Sequence, residues 1–469
     1  MNHATWSAWF AQYARLERAQ SQRGGLGIRR IIAVADDLSG AAETAAALGR
    51  VPGVSPNHPD DAVASRVVLV PDDPAETELE HPSQPNLVFD TDNRRVDAQR
   101  SSARLESLLV RVAEAHGSTV SIFLKVDSLL RGHLPSELGV LLGRGPVLFA
   151  PALPALRRST IGGVVHAAGV PLHESSLWSA ESRPSPTTIA EALAPLPSGL
   201  VDLDTIRGGG EELDRVLDAL ARRHAIAICD SESAGDLDII ASAALRRNGT
   251  QLAGSSALGA ALYRSVAAAE SAIGAGSERS VAVSSRPAPM IGAGEPVDAD
   301  RSVLVVVGTT AAQSRGQLQV LAESGIRIVT VSAGDLLDGT ADRTAVRAAL
   351  ELGPVAVTIG PAAPARGTPR DLTSALAVFI APVAQGIPLV LTGGDTARAV
   401  LDRLGVQWIE PLVEIELGAV LSRTDGGALV VTRPGSFGGS DSLRFILERF
   451  TSHLAGDTWP PDFHGKAPS

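Results

Sequence analysis

The residues with the greatest capacity for chemistry lie together between 121 and 135, in the run SIFLKVDSLLRGHLP. Ser121, Ile122, Phe123, Leu124 and Val126 read as a strand with no turn residue among them. Lys125, Asp127, Ser128 and Arg131 then arrive within seven residues, followed by Gly132 and His133. A strand buried on both faces has no place for a lysine or an aspartate in its middle. Its carboxyl end does, because that edge of an open α/β sheet is where ligands bind. Two cations and a carboxylate at such an edge point to an anionic ligand and to proton handling. The competing structural reading is an i,i+4 pair of Asp127 with Arg131, worth roughly 0.2–0.5 kcal/mol. Lys125 would then merely extend its stem past the sheet edge.

Four more polar clusters follow expected strands in the first half: Asp36-Asp37, DTDNRR at 90–95, the segment 150–160 with Arg158, and DSES at 230–233. An aspartate after a strand is ordinarily a helix cap or a turn former. Five polar strand ends on one sheet edge would instead line a single crevice. His133 and His166 lack metal-ligand spacing and read as hydrogen-bonding loop residues.

The second half carries a different device. PLVLTGGDTARAVL at 388–401 reads as strand, Gly393-Gly394, then a helix opening with Asp395 and Thr396. Such a turn aims free backbone N–H groups at an anion. Gly308-Thr309-Thr310 repeats it, and TRPGSFGG at 432–439 supplies Gly435, Gly438 and Gly439. Neither GxxxxGK[ST] nor GxGxxG occurs in the sequence. A helix N-terminus contributes roughly 0.3–1 kcal/mol toward a surface anion. A cation at 4 Å has a Coulomb energy of about 4 kcal/mol at an effective dielectric of 20. Glycine turns would therefore shape a polyphosphate site, with cations supplying most of the attraction. Arg433 is the obvious cation in these loops, and Mg²⁺ carried in with a nucleotide would add to it.

Strands and helices must position these groups. Candidate strands are Ile31–Ala35, Val67–Val70, Leu87–Phe89, Ile122–Val126, Val147–Phe149 and Ala225–Ile228. After a Ser/Gly/Ala/Pro-rich stretch they resume at Val303–Val307, Arg327–Val331, Val355–Ile359, Pro388–Thr392, Val413–Ile415 and Ala428–Thr432. Helical patterns lie between several of them, as at 97–115 and 211–223. The expected fold is α/β, with two domains that are each a mostly parallel sheet flanked by helices. The expected division is a helical extension at 1–29, a domain at 30–270, a linker at 271–300 and a second domain at 301–469. Within the extension, Trp6, Trp9, Phe10, Tyr13 and Leu16 fall near one helical face, which leaves room for a homo-oligomer.

Composition narrows the function. At 469 residues the chain is long enough for two to three domains. Aromatics are only 3 %, so Ala, Val, Leu and Gly must fill tightly packed layers. A formal charge of −11 argues against nucleic acid and anionic membrane as partners. One cysteine, Cys229, rules out an intramolecular disulfide and a cysteine metal cage. No apolar run approaches a membrane span, and the first residues lack an apolar signal-peptide core. The expected location is cytoplasmic.

These motifs together resemble the four-carbon acid sugar kinase family, over about residues 30–450. ADDLSGA (35–41) is similar to that family's ADDLTGA, with Ser39 in place of threonine. TDNR (91–94) resembles its TxxR, and KVDSLLRG (125–132) its KxDSTLRG. The stretch from Pro154 through Arg158 and Thr160 to Gly163 resembles PxxGRxTxxG, with Arg157 where glycine is usual. GGDT (393–396) and RPGSFG (433–438) resemble its C-terminal glycine loops, the second with arginine for lysine. VGTTA (307–311) matches the family's SGSCS-type loop less closely, since Ala311 offers no hydroxyl.

The resemblance implies a sugar acid bound by the first domain, ATP with Mg²⁺ bound by the second, and phosphoryl transfer where hinged domains close. It implies that Arg94, Lys125, Arg131 and Arg158 hold the substrate carboxylate or the transferring group, with Asp37 and Ser128 beside them. Asp36, Asp37 and Asp127 are the candidate proton acceptors; Asp127 is preferred because Lys125 and Arg131 would keep it ionised. Gly308, Thr309, Gly393, Gly394, Asp395, Thr396 and Gly435 are the implied nucleotide contacts. The metal ligands are left open. The alternative is a sugar-acid sensor of the same fold with impaired catalysis, suggested by the 307–311 loop and Arg157.

Overall fold

The computed structural model describes residues 30–49, 65–77, 79, 86–116, 120–178, 181, 183–247, 249–274, 302–308, 312–360, 367–435 and 437–455. The helix expected at 5–20, most of the linker and Thr309 lie outside these residues. The chain is an α/β protein whose parallel strands are covered by helices on both faces.

The front half runs β1 (Arg30–Ala35), β2 (Ser65–Leu69), β3 (Asn86–Asp90), β4 (Val120–Lys125) and β5 (Val147–Ala150). A small antiparallel sheet follows, of β6 (Arg158–Ile161), β7 (Val164–Ala167) and β8 (Val170–Pro171). Then come β9 (Ser198–Val201), β10 (Ile226–Cys229) and β11 (Gln251–Gly254). The rear half has β12 (Leu304–Val307), β13 (Arg327–Val331), β14 (Val355–Ile359) and β15 (Leu389–Thr392). It ends with β16 (Trp408–Glu416), β17 (Ala419–Thr424) and β18 (Leu429–Arg433). Helix Ser256–Gly274 runs a little past the expected domain boundary at 270.

The two parallel arrays are joined into one 15-stranded sheet, in the order β13-β14-β12-β15-β18-β17-β16-β2-β3-β1-β4-β11-β5-β10-β9. The seam is antiparallel: Trp408 pairs with Val68 and Ile409 with Val67. β17 also pairs antiparallel with both β16 and β18. Three antiparallel steps reverse strand direction between the arrays. Helix Leu38–Leu48 packs on strands from both sides of the seam, which explains why its alanine-rich sequence is buried nearly all round.

Side-chain alternation follows the layers. Ile31, Ala33 and Ala35 face an apolar layer that runs beneath both halves, whereas Ile32 and Val34 face a second layer belonging to the front half. Val303, Val305 and Val307 face a third cluster, against the helices Ala312–Glu323 and Ser442–Leu454. Among the described residues, no helix is long and apolar enough to cross a membrane.

Candidate active site

β3, β1 and β4 are neighbours, so the polar residues after each meet at their carboxyl ends. After β1, Asp37 caps helix Leu38–Leu48, its Oδ1 accepting from the Gly40 N–H at 2.7 Å. After β3, Arg94 projects from a single 3₁₀ turn, Asn93–Arg95. Its Nε donates to Asp36 Oδ2 at 2.6 Å and its Nη1 to Asp37 Oδ2 at 2.6 Å. Asp127 Oδ1 lies 3.9 Å from Arg94 Nη2.

After β4, the chain turns through Leu130, whose left-handed backbone (φ 62°) is uncommon for a leucine. That turn brings Arg131 back onto Asp127 in a two-pronged pair, with Nε to Oδ2 at 2.5 Å and Nη2 to Oδ1 at 2.9 Å. Arg158, from β6, donates to Ser128 Oγ at 2.6 Å. Lys125 ends β4 with its Nζ over Gly40, so close that a Cβ there would stand 2.6 Å away. This is a physical reason for glycine in that motif.

The carboxylates differ in charge. Burial alone would raise Asp127, but Arg131, with help from Arg94 and Arg158, holds it far below the usual range. Asp36 moves the other way, because burial outweighs the pull of Arg94 and Asp37 adds repulsion. Asp37 is also buried, yet Arg94, Lys125 and the Gly40 N–H bring it below the ordinary value.

The rear half faces this cluster directly. Gly393 has φ 97° and opens helix Gly394–Arg403 with no side-chain cap, so the first-turn N–H groups have no partner within the helix. A Cβ on Gly394 would stand 3.2 Å from Asp37 Oδ2 and 3.3 Å from Ser39 Oγ. Ser39 Oγ and Thr392 Oγ1, the latter on the last residue of β15, are buried without hydrogen-bond partners among the described residues. Free N–H groups and orphaned hydroxyls fit a phosphate chain at this contact. Gly308 packs on Thr396, leaving no room for a side chain. Asp395 receives Arg95 on its main-chain oxygen. Gly435 accepts from Ser314 Oγ at 3.4 Å.

Two sequence-based expectations take a different form. Arg433 is buried and braces the third glycine loop, donating to Gln317 Oε1 and to the Phe437 carbonyl. Burial pulls its guanidinium down to about 10. Asp230 holds the β6–β7 hairpin through the N–H groups of Gly162 and Gly163, at 2.6 and 3.0 Å. It is therefore a structural member of the five clusters.

Sequence reasoning missed Glu43 and Glu137. Glu43 is buried and accepts from Ser256 Oγ at 3.3 Å. Burial raises it to about 7 against the opposing pull of Lys125. Glu137 is buried beneath the Arg94 turn and is raised to about 7 by burial and then by Asp36. Its signal was its place on an apolar stripe, three residues after Leu134 and four before Leu141. Among the described residues no group of three or more His, Cys, Asp or Glu is arranged to hold a metal ion.

A sugar-binding N-terminal domain model matches residues 31–262, and a nucleotide-binding C-terminal domain model matches 304–443. A D-threonate kinase from Cupriavidus necator is 31 % identical over 450 residues, covering 90 % of this chain and 98 % of its own. A 3-oxo-tetronate kinase from Methylobacterium radiotolerans is 28 % identical over 333 residues, covering 65 % and 74 %. Among solved structures, Haemophilus influenzae protein HI1011 superposes with a TM-score of 0.59 at 16 % identity, covering 89 % of this chain and all of that one, a likeness of fold. With both domain models matched in order, and a relative aligned almost end to end, the chain belongs to the four-carbon acid sugar kinase family.

Proposed function

We propose that this protein transfers the γ-phosphoryl group of ATP to a hydroxyl of a four-carbon sugar acid of the threonate, erythronate or 3-oxotetronate type. The observation that carries this reading is the contact of the Gly393-Gly394 turn with Asp37 and Ser39, which puts an anion-binding helix start against the carboxylate–arginine cluster. In this reading residues 30–270 hold the acid and residues 301–469 hold the nucleotide. ATP supplies the phosphoryl group, and Mg²⁺ bound with it neutralises phosphate charge.

The reaction asks for alignment and charge neutralisation more than for a strong base. Lys125, Arg94 and Arg158 serve as the cations for substrate carboxylate and transferring group. Arg131 keeps Asp127 ionised and fixed. Both Asp127 oxygens are engaged by Arg131, which with Arg94 and Arg158 holds this carboxyl far below the usual range. The proton of the attacking hydroxyl therefore goes to the Asp36–Asp37 pair, which shares Arg94 and faces the rear half.

ADP release measured with D-threonate, D-erythronate and 3-oxotetronates tests the reading. Turnover is expected with at least one acid and dependent on Mg²⁺. Silence with all of them at millimolar concentration would overturn it; thermal stabilisation by an acid without ADP would favour the sensor reading.

A further inference from the structure

We propose that Glu137 is a positioning residue for both half-sites, because it fixes the one turn from which Arg94 reaches the front half and Arg95 the rear. This inference rests on the kinase reading for its kinetic consequences, though not for its geometry.

Glu137 Oε1 accepts from Asn93 Nδ2 at 2.9 Å and from Ser101 Oγ at 2.8 Å. Asn93 Nδ2 also reaches the Ser101 carbonyl at 3.3 Å. All three residues are at most 2 % exposed, so water does not substitute for these bonds. They tie helix Leu134–Leu142 and helix Ala98–His116 to the first residue of the 3₁₀ turn. A three-residue turn has too few bonds of its own to hold an orientation. Asp92, just before it, adopts a left-handed backbone at φ 50°, which the surroundings must enforce. The Asp92 N–H donates to Asp90 Oδ1 at 3.1 Å, and Glu137 anchors the residue that follows through the buried Asn93 side chain.

From this turn two arginines diverge. Arg94 goes to Asp36 and Asp37. Arg95 pairs with Asp92 at 3.2 Å and donates to the main-chain oxygen of Asp395, in the first turn of helix Gly394–Arg403. Arg370 of the rear half returns a bond to the Arg95 carbonyl at 2.9 Å. Displacing Asn93 would therefore move the substrate cation and the contact to the nucleotide turn together. An apolar helix face ordinarily excludes a carboxylate, and burial shifts this one upward, so its presence calls for a reason beyond packing.

The test compares Glu137→Gln, which keeps the Oε1 acceptor, with Glu137→Ala, in the full chain. In E137A the KM values for acid and for ATP are expected to rise together, on the order of tenfold each. E137Q is expected to stay within about threefold of wild type, since its acceptor is retained. A fall in melting temperature with both KM values unchanged would reduce Glu137 to a structural role and overturn the proposal. So would an E137Q as damaged as E137A. The side-chain Nε–H signal of Arg94, assigned with Arg94→Lys, gives a readout without turnover. Protection from exchange is expected in wild type and E137Q and lost in E137A. That signal still decides the matter if wild type makes no ADP, an outcome that counts against the kinase reading alone. Should E137A fail to fold, Asn93→Ala cuts the same link, and unchanged Arg94 protection there would equally overturn the proposal.

Discussion

Arg398 donates from one nitrogen to both the carbonyl and the carboxylate of Asp90, each at 3.0 Å, with both side chains buried. Its other terminal nitrogen reaches the Val70 carbonyl at 2.6 Å. One rear-half side chain thus satisfies the carboxyl ends of β3 and β2, beside the seam. Arg398→Met leaves Asp90 buried without its partner. The expected loss is about 3–5 kcal/mol by urea denaturation, partly recovered in the double variant with Asp90→Asn.

Gly394→Ala tests the contact between the halves. Its backbone is not left-handed, so alanine is allowed there, but the methyl would crowd Asp37 and Ser39. The KM for ATP is expected to rise by about tenfold or more while the melting temperature stays close to wild type. An unchanged KM would place the phosphates elsewhere.

The assignment of the proton acceptor separates in kinetics. Asp36→Asn and Asp37→Asn are expected to lower kcat by roughly 10²–10⁴. Asp127→Asn is expected to act mainly on the KM for the acid, because it frees Arg131 from its partner. The opposite order, measured by steady-state turnover, would return the role to Asp127.

Glu43 gives a pH dependence of stability. Its ordinary value is 4.5 and its folded value about 7, so the folded state binds the proton more tightly. Its contribution is fully present below 4.5, is lost as pH rises to about 7, and stays lost above. Glu43→Gln is therefore expected to match wild type near pH 4.5 and to be more stable at pH 8, by about 1–3 kcal/mol. Chemical denaturation at the two pH values reads this difference; a constant offset would contradict it.

Arg157 occupies a left-handed backbone, φ 54° and ψ 36°, at the position where the family pattern carries glycine. Glycine relieves the steric cost and adds back some chain entropy. Arg157→Gly is expected to raise the melting temperature slightly, with a gain of about 1 kcal/mol or less.

The front cluster was legible in sequence because parallel strands put polar residues at one edge, and Lys125 does stand as the last residue of its strand. Arg158 joined it because a motif placed it, although its hairpin of β6 and β7 had no periodic signal of its own. The seam was not legible. Residues 408–416 were expected as strand only over 413–415, since Pro411 and two register shifts break the alternation along β16. Nothing local tells β16 that its partner is β2. The buried acids were hidden for a related reason: Glu43 in an alanine-rich helix reads as its solvated face, unless both sides of that helix are known to be covered.

The pairing of Val67 and Val68 with Ile409 and Trp408 has a consequence for biosynthesis. While the ribosome is still making the later part of the chain, β2 is the unprotected margin of a nearly finished parallel array. Its natural cover emerges more than three hundred residues later. Slow translation or early release would leave a hydrophobic ribbon able to pair with another nascent chain, so aggregates of truncated products are expected to grow from that margin.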